Sequence, residues 1–260
     1  MKESIRRGHL GIGIALLLAG VVFIAPVAVS MLSSLNDEGN FPVLSQYIEL
    51  LITDYTFLRY FWNSLCYALG ITAACVLLSF PLGFLFAKVK FPRRNAVFFV
   101  YIIVMMLPFQ ATLLPNYIQL RDFGLLNTPL SLLLPQIFFP FAVFLFRQFI
   151  KSIPSETLDS AVLDTSSSVK VLFYVVFPQV RTAAIALSLM IFCDSWNMVE
   201  PVLIFAAKNP GIHPLSVALG DLPSSVSFSA SMVYMVPVLF LFLMFKETIA
   251  SSMEKFHWGK

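Results

Sequence analysis

Six long apolar runs separated by polar loops constrain this chain more than any other feature. They cover about residues 10–32, 61–87, 95–115, 129–150, 171–207 and 228–249. A helix needs about 20 mostly apolar residues to cross the ~30 Å hydrocarbon core of a bilayer, and every run reaches that length. Only 12% of the residues are charged, against about 25% in an ordinary soluble domain. The pattern predicts an all-α integral membrane protein with six transmembrane helices.

The first apolar run follows three basic residues, Lys2, Arg6 and Arg7. A secretory signal peptide also begins with positive charge, but its apolar core has only about 7–15 residues. Residues 10–32 are long enough to cross the membrane alone. We therefore interpret this run as the first transmembrane helix and residues 33–59 as a polar extracytoplasmic loop.

Lysine and arginine residues divide unevenly between the two sides that six spans create. With the amino terminus inside, all but three of the 17 basic residues belong to the inner side. The three on the outer side are Arg59, Arg121 and Lys208. Because cytoplasmic segments carry the excess of Lys and Arg, this split predicts that both termini and the loop 151–170 lie in the cytoplasm.

Prolines occur in most of the apolar runs. They are Pro26, Pro81, Pro108, Pro135, Pro140, Pro178, Pro201 and Pro237. Each removes a backbone hydrogen bond and favours a kink, and in lipid the freed carbonyl needs protein or a watery cavity beside it. Single kinks could serve packing alone. Together they are typical of a pathway that opens and closes.

The loop between the fourth and fifth runs contains a helical pattern of its own at about residues 153–168. Pro154 and Ser155 favour a helix start, because proline suits a first turn and a serine hydroxyl can accept a free backbone N–H. One mildly apolar face follows at i, i+3, i+4 and i+7: Leu158, Ala161, Val162 and Thr165. Three carboxylates lie off that face: Glu156, Asp159 and Asp164. The pattern predicts a short amphipathic surface helix that meets a soluble partner.

Residues of this stretch also match, without a gap, the motif of a known family. They are Ile153-Pro154, Glu156, Asp159-Ser160-Ala161, Leu163-Asp164 and, fourteen residues after Asp164, Pro178. The stretch resembles the cytoplasmic loop of binding-protein-dependent ABC importer permeases, in which it forms the coupling helix that docks on an ATPase subunit. Thr157 replaces the leucine of that family and Thr165 its glycine. Because glycine permits a turn that β-branched residues avoid, the turn at Thr165 is expected to differ or to carry strain.

A second group of motifs resembles the carbohydrate-uptake branch of the same family. The group comprises Trp62-Asn63-Ser64-Leu65, Met106-Leu107-Pro108-Phe109-Gln110, Leu114-Pro115-Asn116-Tyr117, Gly124-Leu125-Leu126-Asn127-Thr128 and Trp196-Asn197 with Pro201. The resemblance covers about residues 60–260, which it identifies as the permease core. Residues 1–59 match in layout but not in motif.

This resemblance implies a permease subunit of an importer for a sugar or oligosaccharide, in a prokaryotic inner membrane. It implies that the subunit pairs with a second homologous permease, two ABC ATPase subunits and an extracytoplasmic solute-binding protein within the lipid bilayer. ATP and Mg²⁺ then belong to the ATPase, and this chain binds no cofactor. In the coupling helix, Leu158, Ala161 and Val162 are expected to be buried anchors in the ATPase groove. The expected polar contacts are Glu156, Asp159 and Asp164, with Thr165 at the end of the helix.

Five polar residues near the ends of the third and fifth runs are candidates for the solute path: Gln110, Thr112, Asp194, Asn197 and Glu200. Carboxylates at membrane depth are costly and usually functional. On a continuous helix, Asp194 and Glu200 would be about 240° apart, so they are not expected to form a catalytic pair. Asn197 and Glu200, at i and i+3, would share a face that could bind a polyhydroxylated solute. Alternatively, this segment lies at the outer interface, with Trp196 as a membrane-belt aromatic.

Other functional classes find less support in the sequence. No catalytic residues or metal ligands are predicted, since the three histidines are far apart and lie outside the apolar runs. No P-loop motif occurs, and the basic residues are dispersed in a way that does not suggest nucleic-acid binding. Cys66, Cys75 and Cys193 are interpreted as small core residues. Two alternatives remain open: a secondary transporter, and a membrane partner subunit of the same fold that does not transport.

Overall fold

The computed structural model describes residues 2–36, 44–53, 55–165, 167–223 and 225–257. These residues are mostly helical, and no strand occurs among them. In chain order, the α-helices are α1 (Lys2–Ser34), α2 (Ser45–Ile48), α3 (Tyr55–Lys88), α4 (Arg94–Met105), α5 (Phe109–Asp122), α6 (Pro129–Ile137), α7 (Pro140–Lys151), α8 (Ser155–Asp164), α9 (Ser168–Lys170), α10 (Phe177–Trp196), α11 (Glu200–Phe205), α12 (Leu215–Ala218) and α13 (Ser227–His257). Two π-helical segments, Glu49–Thr53 and Val171–Val176, continue α2 and join α9 to α10.

Five segments of the described residues are long and apolar enough to cross a membrane. They are Leu16–Ser34, Tyr55–Lys88, Pro129–Lys151, Ser168–Trp196 and Ser227–Glu247. The pair α4 and α5 makes a sixth if it is counted as one broken span. The prediction of an all-helical membrane protein is therefore confirmed, with five or six candidate spans by length and composition.

The third apolar run, residues 95–115, is sharply bent near Pro108, one of the prolines at which a kink is expected. The helix axis turns by 93° between α4 and α5. Pro108 lies at the turn in an extended conformation, with φ −64° and ψ 142°. Proline lacks the N–H that would continue the helix, and it disfavours helical geometry in the residue before it.

The fifth apolar run, residues 171–207, is not one helix either. It begins in the π-helical segment, continues as α10 to Trp196, and resumes as α11 at Glu200. Pro201 explains the interruption, because its ring would clash with the carbonyl of Asn197 four residues earlier and offers that carbonyl no N–H. A proline in the first turn of a new helix avoids both costs.

The backbone contacts divide the chain into two units, Met1–Leu58 with Ala218–Val236, and Arg59–Val217 with Pro237–Lys260. In the first unit, apolar side chains of α1 such as Phe23 are exposed. A polar network joins the other elements of this unit. The Ser229 hydroxyl donates to Gln46 Oε1 over 2.7 Å, and the hydroxyls of Ser34 and Tyr47 lie 2.8 Å apart.

The second unit contains the main apolar core, to which α3, α7 and α10 contribute. Phe80 and Phe146 pack edge to face with ring centroids 5.5 Å apart. At Gly83, α3 and α7 approach so closely that a Cβ atom would lie 2.6 Å from Phe146 Cβ. On another side of α7, Tyr101 of α4 donates its hydroxyl to Pro140 O over 2.9 Å. This unit also contains the helix breaks described above.

Candidate functional site

Three helix breaks meet at one cavity of about 840 Å³ in the second unit. The breaks are the segments between α4 and α5, between α6 and α7, and between α10 and α11. Each contributes lining residues, among them Leu107, Phe138 and Val199. Irregular backbone at membrane depth is tolerated only inside protein or beside a water-filled cavity, because lipid cannot satisfy its polar groups. This convergence makes the cavity the main candidate site.

The break between α6 and α7 shows how the freed backbone groups are satisfied. Pro140 has no N–H to donate to the carbonyl of Gln136, four residues earlier. The buried thiol of Cys75 on α3 lies in hydrogen-bond contact with Gln136 O at 3.1 Å and with Ile137 O at 3.0 Å. Cys75 is therefore a partner for free carbonyls as well as the core residue that the sequence predicts.

Four of the five predicted path residues line this cavity: Thr112, Asp194, Asn197 and Glu200. The fifth, Gln110, donates from its side-chain amide to Glu200 Oε2 over 3.3 Å. The structure thus brings all five together, and their role in solute contact stays a prediction. The predicted helical relation between Asn197 and Glu200 is wrong, because α10 ends before Asn197 and α11 begins at Glu200. They meet the same cavity from the two sides of a break.

The cavity combines aromatic surface with a few polar groups. Phe109, Phe138, Phe139 and Phe141 supply ring surface, and Gln136, Asn116 and Ser195 add polar groups that sequence reasoning missed. Two carboxylates, Asp194 and Glu200, line the cavity, and no lysine or arginine of the described residues does. Such a site can accept hydrogen bonds from hydroxyl or amide groups and disfavours anions.

Trp196 is buried inside the protein. The alternative interpretation of Trp196 as an aromatic residue of the membrane belt is therefore wrong. Its side chain has 0% exposure. It stacks on Phe192 with ring centroids 5.7 Å apart and meets Phe61 edge to face at 5.9 Å. Aromatic packing therefore fixes the end of α10 beside the cavity.

The Asn63-Ser64 motif at the start of α3 holds the loop before α12. Asn63 Nδ2 donates to Gly211 O at 3.1 Å and to His213 O at 3.0 Å. The Ser64 hydroxyl accepts the backbone N–H of Leu215 over 2.7 Å. These side chains replace backbone partners that an irregular loop lacks.

The motif at 124–128 binds the loop after α11 in a similar way. Gly124 and Asn127 have positive φ values of 67° and 61°, a conformation that glycine and asparagine tolerate best. Asn127 N donates to Phe205 O over 2.8 Å, and Asn127 Oδ1 accepts from Lys208 N over 2.9 Å. Both motifs therefore fix the segments that follow the broken fifth span.

The predicted surface helix is α8, Ser155–Asp164. Pro154 precedes it, and no side chain caps it; the predicted serine cap is wrong, since Ser155 is already helical. At its end, Thr165 is extended with φ −149° and ψ 134°, so the turn differs from a glycine turn and carries no left-handed strain. The Thr165 hydroxyl accepts the N–H of Ser167 over 3.3 Å.

The face of α8 that the sequence offers to a partner packs largely against this chain itself. Ala161 is buried at 9% exposure, and Leu158 packs on the same apolar cluster as Val171 and Val176. Glu156 and Asp159 are exposed. Leu163 is 88% exposed and lies off the apolar face that the helical period predicts. The side chains of Val162 and Asp164 lie outside the described residues.

Two contacts connect α8 to membrane-spanning helices. Leu158 and Ala161 join the apolar cluster that contains the π-helical segment leading into α10. The ammonium group of Lys88, at the end of α3, donates to the carbonyl of Ile153 just before α8. Ile153 is itself buried at 6% exposure. α8 and the residue Ile153 before it are therefore in contact with the segment that leads into α10 and with the end of α3, respectively.

An all-helical, multi-pass chain whose helix breaks border a largely apolar cavity with a few polar groups is typical of membrane transport proteins. Comparison with known proteins identifies the family. The family model described as "Binding-protein-dependent transport system inner membrane component" matches residues 79–255 of this chain. The chain belongs to this family and is a multi-pass inner-membrane transport subunit; its relatives are transport permeases rather than enzymes.

Individual relatives resemble most of the chain. The diacetylchitobiose uptake system permease protein NgcG of Streptomyces coelicolor is 26% identical over 92% of this chain and 85% of its own length. The arabinooligosaccharides transport system permease protein AraQ of Bacillus subtilis is 28% identical over 77% of this chain and 76% of its own. A chain of a bacterial ABC transporter involved in import of the acidic polysaccharide alginate has the same fold, with a TM-score of 0.84 over 94% of this chain and 97% of that one, at 18% identity.

Proposed function

We propose that this chain is a permease subunit of an ATP-driven importer that carries a sugar or oligosaccharide by alternating access. The observation that carries the proposal is the cavity of about 840 Å³ enclosed by three helix breaks. Family membership supports it, because binding-protein-dependent systems work with an ATPase and a solute-binding protein. The complete assembly contains a second homologous permease and two ATPase subunits, which bind ATP and Mg²⁺.

The solute is a neutral, hydroxyl-rich molecule. Asp194 and Glu200 accept hydrogen bonds from sugar hydroxyls, Asn197 and Thr112 both donate and accept, and the phenylalanine rings pack against sugar faces. An anion would meet two carboxylates without a lining cation. The names of NgcG and AraQ, which refer to diacetylchitobiose and arabinooligosaccharides, agree with this choice.

The termini and α8 face the cytoplasm, where an ATPase can reach them. The distribution of Lys and Arg supports this orientation. On α8, the exposed Leu163 is the apolar anchor, and the exposed carboxylates of Glu156 and Asp159 pair with polar or basic groups at the rim of the ATPase groove. Leu158 and Ala161 act from the other side of α8, where they transmit its motion to the start of the fifth span.

Proteoliposomes test this function. The chain is reconstituted with the subunits that copurify with it, and uptake of labelled diacetylchitobiose, arabinotriose and an alginate oligomer is measured with the cognate solute-binding protein. We expect uptake of a neutral sugar that requires ATP, stops when the Walker lysine of the ATPase is replaced, and persists when ionophores collapse ion gradients. Uptake that follows an ion gradient without ATP would instead identify a secondary transporter. ATPase binding without uptake of any solute would identify a partner subunit that does not transport.

A further inference from the structure

The loop between α3 and α4 encloses a small hollow with strong positive charge. The hollow has a volume of about 320 Å³ and is lined by Lys90, Phe91, Arg93, Arg94, Asn95 and Ala96. No carboxylate is among these residues. In the described part of the chain, the one ion pair is Arg121 with Asp122, outside this loop. Three cations therefore line one hollow without a negative partner among the described residues.

Local contacts order the backbone of this loop and the Arg94 side chain. The Arg94 guanidinium donates to Val89 O over 3.1 Å, which fixes it against the end of α3. Phe91 packs on Phe86 with ring centroids 6.1 Å apart. Arg93 has φ 59°, in the left-handed region that residues other than glycine rarely adopt. The loop backbone and the Arg94 guanidinium are thus ordered before a ligand arrives, which lowers part of the ordering cost of binding.

An exposed apolar helix face begins immediately beside the hollow. On α4, Val97, Phe99, Val100 and Ile103 are each about half exposed or more. The opposite face of α4 packs on α7, where Phe98 stacks on Phe144 with centroids 6.2 Å apart. With α4 and α5 counted as one broken membrane span, the exposed face of α4 lies along the hydrocarbon and the hollow lies at the membrane–water boundary.

We propose that the hollow at Lys90, Arg93 and Arg94 binds the headgroup of an anionic phospholipid whose acyl chains lie along the exposed face of α4. A phosphodiester supplies the negative charge that the hollow lacks, and basic pockets at span ends are suited to such headgroups. A free phosphate would use the hollow but not the apolar face. An acidic protein segment would likewise leave the apolar face of α4 without a complementary surface.

Native mass spectrometry of the full-length chain, purified with its copurifying subunits and stripped of lipid, tests the site. Dioleoylphosphatidylglycerol is the anionic probe and dioleoylphosphatidylethanolamine the zwitterionic one. We expect tighter binding of the anionic lipid. The double substitution Lys90→Gln with Arg93→Gln should weaken it by roughly 30-fold, which corresponds to about 2 kcal/mol, or about 1 kcal/mol for each cation removed. The matched control, Arg121→Gln with Lys208→Gln, removes two cations elsewhere and should leave lipid binding unchanged.

Three results would overturn the proposal. Equal affinity for the two lipids, or an equal loss in the control variant, would show that the loop has no headgroup site. Thermal stabilisation by inorganic phosphate that matches the anionic lipid and disappears in the double variant would assign the hollow to a free anion. If an Arg93→Cys variant cross-links to a copurifying ATPase and binds no anionic lipid, the hollow belongs to a protein interface. Retained basal ATPase activity shows that the double variant is folded, so each of these results can be attributed to the loss of the two cations.

Discussion

Replacing Gly83 by alanine should weaken the packing of α3 against α7. The added Cβ would lie 2.6 Å from Phe146 Cβ and 3.0 Å from Arg147 N. Favourable carbon–carbon contacts lie at about 3.5–4.0 Å, so the contact with Phe146 is too short by about 1 Å. Neither neighbour is the end of a flexible side chain. The two helices must therefore move apart.

Gly70 offers a matched control on the same helix. A Cβ there would meet only Leu133 Cδ2, at an ordinary 3.7 Å. Both changes convert a glycine inside a helix to alanine, which favours the helix by about 1 kcal/mol. This gain cancels in the comparison. The remaining difference is the overpacking cost at Gly83, about 1–3 kcal/mol.

Thermal unfolding of the purified transporter in a mild detergent measures this difference. With about 2–4 °C for each kcal/mol in a chain near this size, Gly83→Ala should melt about 2–12 °C below Gly70→Ala. Its transport should also fall, because α7 leads directly into the segment before α8. If Gly83→Ala melts at or above the temperature of Gly70→Ala, the close approach of the helices is refuted.

Three further substitutions test the proposed coupling and solute path. Leu163→Glu should lower ATP-driven uptake at least about tenfold without changing membrane insertion. The control Val169→Glu, at an exposed position outside α8, should not lower uptake. An equal loss of uptake in both variants contradicts docking through Leu163. Lys88→Met removes the donor to Ile153 O and should leave ATPase binding intact, but solute-stimulated ATP hydrolysis should no longer be matched by solute uptake. If uptake per ATP hydrolysed is unchanged in this variant, the contact between Lys88 and Ile153 does not couple the two. Glu200→Gln should raise the concentration for half-maximal uptake of a neutral sugar by about 4- to 13-fold, because a neutral amide oxygen accepts a hydrogen bond about 0.75–1.5 kcal/mol weaker than a carboxylate does. Unchanged uptake kinetics would remove Glu200 from the path.

The sequence predicts the helical elements better than their interruptions. Long apolar runs and the polar helix at α8 follow from length and periodicity, which depend on local residues alone. The effect of a proline depends on its surroundings. Pro81 and Pro237 lie inside uninterrupted helices, whereas Pro108 and Pro140 lie at breaks. At the second break, the thiol of Cys75 is 61 residues from its partner Gln136, a distance in sequence that no local pattern reveals.

The buried side of α8 could not be predicted for a similar reason. Its apolar positions, including Leu158 and Ala161, follow the helical period, and periodicity identifies a face without identifying what covers that face. The family resemblance favoured an ATPase groove. The structure packs Leu158 and Ala161 on the apolar cluster at the start of the fifth span, and the exposed apolar residue Leu163 lies off the predicted stripe.

This arrangement explains how a short surface helix can act on a distant cavity. One end of α10 adjoins the π-helical segment that packs with α8, and its other end carries Asp194 and Trp196 beside the cavity. Its 20 residues correspond to about 30 Å of helix, so a tilt of about 10° displaces the far end by about 5 Å. Because the chain breaks just after Trp196, α11 need not follow that movement. In the proposed mechanism, the same break that places Asn197 and Glu200 at the cavity lets the cavity change shape while α11 stays fixed to the loop at Asn127.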